Sequence, residues 1–340
     1  MILSAKPPSR HAVQPLGAAP IGPMATVPAW LRRAVEAAQA VAPKGLEDVA
    51  LASGAALTAL DAVVRRDEKW AGAWRQRLAL AAAATTARQA GRTEDEAALR
   101  DSFLLTRPGD DVGPAGVLLL AWRRLAARPA EDLLTEKNLT AVLEEFGFFA
   151  RDSAAVGDLL EDLRQPSTAV GVVEMLTGAF ASAGRHGFGR YLGSWLADAM
   201  LAQRLGWPHA VPLLGAQPAS GGSTRGVRPG TTSPTERDQV PGRERVQGLL
   251  VAQARAALRA IDLSTELGRR AERLLAVAPK LRAKGADRVV EKLLSDDALV
   301  ASQEIAGMSD RGLRRLFDRL VDLGAVRELS GRTTFRIYGL

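Results

Sequence analysis

Residues 70 to 89 read Trp-Ala-Gly-Ala-Trp-Arg-Gln-Arg-Leu-Ala-Leu-Ala-Ala-Ala-Ala-Thr-Thr-Ala-Arg-Gln. Alanine is the strongest helix former and gives up no side-chain entropy on folding. The stretch is therefore read as a helix. Its second half carries almost nothing to solvate it, so it needs apolar neighbours all round and should lie at the centre of the fold. A chain built around such a segment is an assembly of helices packed closely through small side chains.

The rest of the chain agrees with that frame. Of its 340 residues 47% are hydrophobic but only 5% aromatic, and there is no cysteine. That removes disulfides, thiolate metal sites and cysteine nucleophiles together, and it fits a reducing cytoplasm. No segment approaches the roughly 18 unbroken apolar residues of a membrane span, so no membrane is expected. Residues 1–28 are rich in proline and lack the apolar core of a signal peptide. They read as a disordered lead, and Met24 is an alternative start to Met1.

Helical runs with short breaks follow from Trp30. Pro43, Gly45, the Arg107–Pro114 loop, Gly184–Gly189 and Gly206-Trp207-Pro208 punctuate them. Thr93 and Glu96 have capping-box spacing, with Thr93 as the cap. The clearest boundary is 216–242, a Gly/Pro/Ser-rich linker with weakly basic Arg225 and Arg228. The expected organisation is a lead at 1–28, a helical domain at 29–215, the linker, and a second segment at 243–340. From Arg243 onward lie 19 of the 45 Lys and Arg but only 13 of the 38 Asp and Glu. Most of the net charge of +7 therefore sits in this last third, which favours a polyanionic partner.

The final residues carry the one suggestion of an activity. Ser309 is a good N-cap and Asp310 suits the first turn. Leu313, Leu316, Phe317, Leu320 and Leu323 make one apolar face. Arg311, Arg314, Arg315 and Arg319 fall mainly off it, and Gly324 ends the helix. Two short β segments follow, Val326–Leu329 and Thr333–Tyr338, with Phe335 and Ile337 alternating with Arg336 and Tyr338. One hairpin face is expected to pack on the helix and the other to meet a partner. With a helix over Ala286–Leu294 and a short one over Leu299–Ala306, this is the order of a winged helix-turn-helix at about 285–340. The fold class is thus mostly α: a helical N-terminal domain plus a C-terminal winged helix-turn-helix with a small β-hairpin. Asp310, Asp318, Asp322 and Glu328 dilute the basic patch.

Catalytic signatures are missing. His11, His186 and His209 have no ligand partners at helical spacing. No phosphate-binding glycine loop and no Gly-x-Ser-x-Gly elbow occurs. No cofactor is expected. Asp101, Asp110 and Asp111, near Glu94, Asp95 and Glu96, are the one acidic group that a metal-dependent enzyme would use. Carboxylates in a helix first turn and a Pro/Gly loop are the ordinary alternative, and the site assignment is accordingly without metal. Trp70, Trp74 and Trp122 are read as core.

Three segments carry a family resemblance: Arg65–Arg75, Gly91–Asp101 and Pro108–Gly116. Together with Arg270–Lys280 and Gly324–Leu340, they are similar to a bacterial family, rhizobial and alphaproteobacterial, numbered 1403 among domains of unknown function. The resemblance covers most of the chain from about Trp30. The closing segment also resembles the tail of a second rhizobial family that ends in a helix-turn-helix. That family is sometimes grouped with adenylyl-transferring Fic-type proteins, whose motif this chain lacks. The resemblance implies a shared C-terminal unit and no activity.

The leading expectation is a DNA-binding regulator or accessory protein. Arg311, Arg314, Arg315 and Arg319 would meet the major groove or its phosphates, and Arg327, Arg332 and Arg336 would lie on the wing. The helical domain would bind a protein partner or form a homodimer. The alternative is a non-catalytic module whose tail docks a protein.

Overall fold

The computed structural model describes residues 27–38, 45–107, 109–148, 153–169, 171–217, 240–331 and 334–340. The expected lead therefore falls outside the described residues up to position 26, and the expected linker does so over 218–239. Among the described residues the chain forms twelve α-helices and three short strands. The helices of the first part are α1 (Ala29–Ala37), α2 (Leu46–Arg65), α3 (Ala71–Gln89), α4 (Glu96–Leu105), α5 (Gly113–Ala127), α6 (Glu136–Glu145), α7 (Ser153–Ala169), α8 (Val172–Arg185) and α9 (Arg190–Leu205). Then come α10 (Val240–Val277), α11 (Ala286–Ser295), β1 (Leu299–Val300), α12 (Asp310–Asp322), β2 (Arg327–Glu328) and β3 (Ile337–Gly339).

The alanine-rich segment is the hub that its composition predicts. α3 buries its second half all round, with Ala79, Ala82, Ala83 and Ala87 fully enclosed. It packs against α4, α5, α10 and α11. Trp70, Trp74 and Trp122 are core, as expected; the Trp70 N–H is buried without a hydrogen-bond partner, whereas those of Trp74 and Trp122 tie helices together. Trp74 donates to the Ala260 carbonyl on α10 at 2.8 Å, and Trp122 donates to the Thr86 hydroxyl on α3 at 2.9 Å. Such partners matter because an unpaired donor in the core costs about 1–3 kcal/mol.

Helix ends follow their local chemistry, with one correction. The cap of α4 is Asp95, whose carboxylate accepts from the Ala98 N–H at 2.8 Å, and not Thr93. Asp95 stands three residues before a free N–H, so it takes the cap, and Glu96 becomes the first helical residue. Gly206 ends α9 in a left-handed conformation at φ 63°, and the Trp207 N–H returns to the Ala202 carbonyl. The segment beyond α9 runs back over α3 and α9. There Asp198, buried on α9, accepts from the Leu213 and Leu214 N–H groups at 2.8 and 3.1 Å. Gly215 lies flat against the Trp122 ring, where any Cβ would stand 2.1 Å from it.

α10 lies along α2 and also touches α1, α3 and α8. Ser53 donates to Gln253 at 3.2 Å and Arg32 to Asp262 at 2.9 Å across that contact. The last third is joined to the helical body by further contacts. Arg123 of α5 forms an ion pair with buried Asp297, and its guanidinium lies 4.1 Å from the Phe103 ring centre. Arg77 donates to the Asp297 carbonyl at 2.9 Å and Arg100 to that of Leu329 at 3.2 Å. Gly72, at the start of α3, allows the Ser295 backbone to approach so closely that a Cβ would meet it at 2.8 Å.

The strands form one antiparallel sheet in the order β1-β3-β2, with Leu299 opposite Tyr338, Val300 opposite Ile337 and Glu328 opposite Tyr338. Two expectations are corrected here. Leu299–Ala306 is not a short helix: Leu299 and Val300 pair with β3, and a bridge between Ile305 and Met308 closes a turn around Gly307 at φ 85°. Edge pairing and burial of Val300 outweigh the weak helical preference of so short a segment. The hairpin also does not divide into a packed face and a free face. Ile337 packs with Val300, Leu104 and Leu105 on the α4 side, while Tyr338 stacks on Phe317 of α12 at 4.3 Å between centroids. A helix covers each face of β3, so both Ile337 and Tyr338 are buried.

Candidate nucleic-acid interface

α12 is set as its sequence predicts. The Ser309 hydroxyl accepts from the Gly312 N–H at 3.2 Å, and Asp310 occupies the first turn. Leu313, Leu316, Phe317 and Leu320 are buried, whereas Leu323 and neighbouring Val321 are about 40% exposed. Leu323 was expected on the apolar face; it follows the last helical residue and turns out to solvent. Gly324 at φ 64° ends the helix, and the Ala325 N–H bonds the Leu320 carbonyl.

The solvent side of α12 carries Arg311, Arg314, Arg315 and Arg319, all exposed. Among the described residues none of the four is engaged in an ion pair or hydrogen bond. Asp318 and Asp322 are interleaved with them and are exposed too. The helical body leaves this side open, so the four guanidiniums are available to a partner.

The hairpin arginines separate. Arg336 points to the α12 side, where Asp318 and Glu328 each lie 3.8 Å away. A hydrogen bond with the Tyr338 hydroxyl and these two carboxylates hold its guanidinium above its usual range. Arg327 pairs in register with Gly339 and so shares the opposite side with Ile337. Its charge is felt there by Arg77 and Arg270, whose protonation is disfavoured first by burial and then by neighbouring charges that include it. Arg327 is thus not part of the α12 face. Arg332 lies outside the described residues.

A groove of about 370 Å³ opens between α12 and the hairpin. Ser302, Arg314, Asp318, Phe335 and Arg336 line it. Phe335 stands at its rim, 64% exposed and at φ 56°. Sequence reasoning treated Phe335 as a strand residue. The structure places it in a bend ahead of β3, which begins only at Ile337, and the alternation of side chains gives no sign of that.

The acidic residues considered for a cation do not converge. Asp101 is buried against Arg100 at 2.8 Å; Asp111 accepts from the Gly113 N–H at 2.8 Å, and Asp110 is exposed. Glu94 pairs with Arg92 and Asp95 caps α4. Asp101, Asp111, Glu94 and Asp95 are thus each taken by a guanidinium or a backbone donor, the ordinary fates of acids at helix starts. Among the described residues no three His, Asp or Glu side chains stand together as metal ligands. His186 meets Asp162 at 3.0 Å, and His209 is half-buried, where burial first and the nearby Arg75 second hold its proton affinity down.

Fold and surface together define a mostly helical protein whose C-terminal helix-and-hairpin unit presents a row of arginines. No described helix is long and apolar enough to cross a membrane. The chain belongs to the family described as protein of unknown function DUF1403, which it matches over residues 21–340. No curated protein and no solved structure matches it.

Proposed function

We propose that the C-terminal unit is a winged helix that binds DNA, and that the protein is a DNA-binding regulator or accessory factor. The observation that carries this reading is the row Arg311, Arg314, Arg315 and Arg319. These are four exposed guanidiniums on one helix, with no intramolecular ion pair among the described residues. Guanidiniums left unpaired on a surface that also holds carboxylates are suited to an external polyanion. The order helix, strand, turn, helix, strand, strand supports the winged reading, although the turn at 301–309 replaces the usual second helix. Arg336 extends the surface on the hairpin, and α12 is the element that would approach the major groove. A DNA-binding role goes with a cytoplasmic compartment, which the absence of cysteine fits.

The test uses the whole chain and a random-sequence duplex. Affinity measured by fluorescence anisotropy should fall steeply between 50 and 200 mM salt, since each neutralised phosphate contributes a slope of about −0.9. Replacing Arg311, Arg314, Arg315 and Arg319 by alanine should flatten that slope by roughly 3 to 4. Absence of duplex binding at low salt would sink the proposal.

A second reading is a docking module for a protein, and the exposure of Val321 and Leu323 at the end of α12 favours it. Under that reading Val321→Ser with Leu323→Ser abolishes association with the partner while DNA affinity is nil throughout. The helical body is the part that would hold a protein partner or a second copy.

A further inference from the structure

We infer that Phe335 is a base-stacking residue: the groove between α12 and the hairpin takes an unstacked base of the DNA strand whose phosphates lie along α12. The inference rests on the DNA-binding proposal and adds to it the kind of contact made on the hairpin. Two unfavourable features meet at Phe335. The residue is 64% exposed, second only to Leu51 among the exposed large hydrophobic residues described, and its backbone sits at φ 56°. A left-handed conformation at a hairpin end is ordinarily given to glycine or asparagine, because a bulky side chain is strained there. A strained, exposed aromatic adds nothing to the core, and such outliers gather where a ligand is held.

The surroundings state what ligand would fit. The groove of about 370 Å³ lies at the small end of the roughly 300–1,000 Å³ that ordinarily takes small molecules. Phe335 offers a flat apolar face at its rim, Ser302 a hydroxyl, and Arg314 and Arg336 offer guanidiniums. Arg336 is balanced by Asp318 and Glu328 at 3.8 Å, whereas Arg314 has no ion pair among the described residues. A planar aromatic group with an anion a few ångströms away satisfies all of these at once, and that is a nucleotide. Arg314 also belongs to the arginine row of α12, so the groove is continuous with the proposed phosphate track. Stacking on a side chain is tolerant of sequence, because every base has a π face.

The experiment uses full-length protein and short duplexes carrying 2-aminopurine, either fully paired or as a single unpaired base. Wild-type protein should bind the unpaired-base duplex more tightly and quench its fluorescence. F335A should lose about tenfold in affinity for it, equivalent to about 1.4 kcal/mol. It should also lose the quenching and keep the salt slope, while F335W retains both. F335G should lose the quenching yet melt at a higher temperature, since glycine relieves the left-handed strain. Equal affinity and quenching for wild type and F335A would overturn the stacking role while leaving duplex binding intact. If wild type binds neither duplex at low salt, the DNA-binding proposal fails, and this inference with it.

Discussion

Asp198 is a carboxylate sealed inside the fold with the backbone N–H groups of Leu213, Leu214 and Gly215 on it. Those donors favour the ionised form, but burial wins and lifts its pKa from an ordinary 3.8 to about 7. Between those two pH values the folded chain keeps a proton that the unfolded chain has released. Stability contributed by this group is therefore greatest at acid pH and falls as pH rises towards 7. Urea unfolding at pH 5 and 7.5 should show the wild type losing a few kcal/mol more than Asp198→Asn, at roughly 1.4 kcal/mol per pKa unit. Equal losses would mean that Asp198 is ionised throughout. At the tail, the exposed placement of the α12 arginines was legible in the sequence: their spacing off the apolar stripe needs only helical geometry. Phe335 was not legible in the same way. Its exposure depends on a hairpin conformation that no side-chain alternation encodes.

α12 illustrates why some elements were readable. Its cap, stripe and terminating glycine all lie within the element, so local chemistry suffices to place both ends. Ser309→Ala should therefore lower stability by about 1 kcal/mol, read as a lower melting temperature, because it removes the acceptor for the Gly312 N–H. An unchanged melting temperature would mean that the helix is held by packing alone. β1 is the opposite case. Leu299 and Val300 are a strand because Ile337 and Tyr338, almost forty residues later, offer them an edge. Nothing within 299–306 announces that partner, and the expected short helix was lost with it. β3 was misjudged for a related reason. Its alternation of side chains was visible, but not that α4 would cover one face while α12 covered the other.

For the molecule as a whole, the junction between helical body and C-terminal unit combines apolar packing with a buried ion pair. Asp297 is 1% exposed and is met by Arg123, while Arg77 holds its carbonyl. Removing one member of such a pair leaves a charge in the interior, at a cost of about 3–5 kcal/mol. Arg123→Ala should lower the unfolding free energy by that order in urea titration, and a paired Arg123→Met, Asp297→Leu variant should recover a good part of it. Equal losses for single and double variants would show that the two side chains do not act together.

Gly72 against the Ser295 backbone carries this junction into the history of the chain. Because the space there admits a hydrogen and nothing larger, a descendant that acquires a side chain at 72 must also shift the end of α11. Such a change survives only if a compensating one arises some two hundred residues away. Body and C-terminal unit are therefore bound to drift as a pair, and a tail exchanged from another protein would have to bring a matching floor with it.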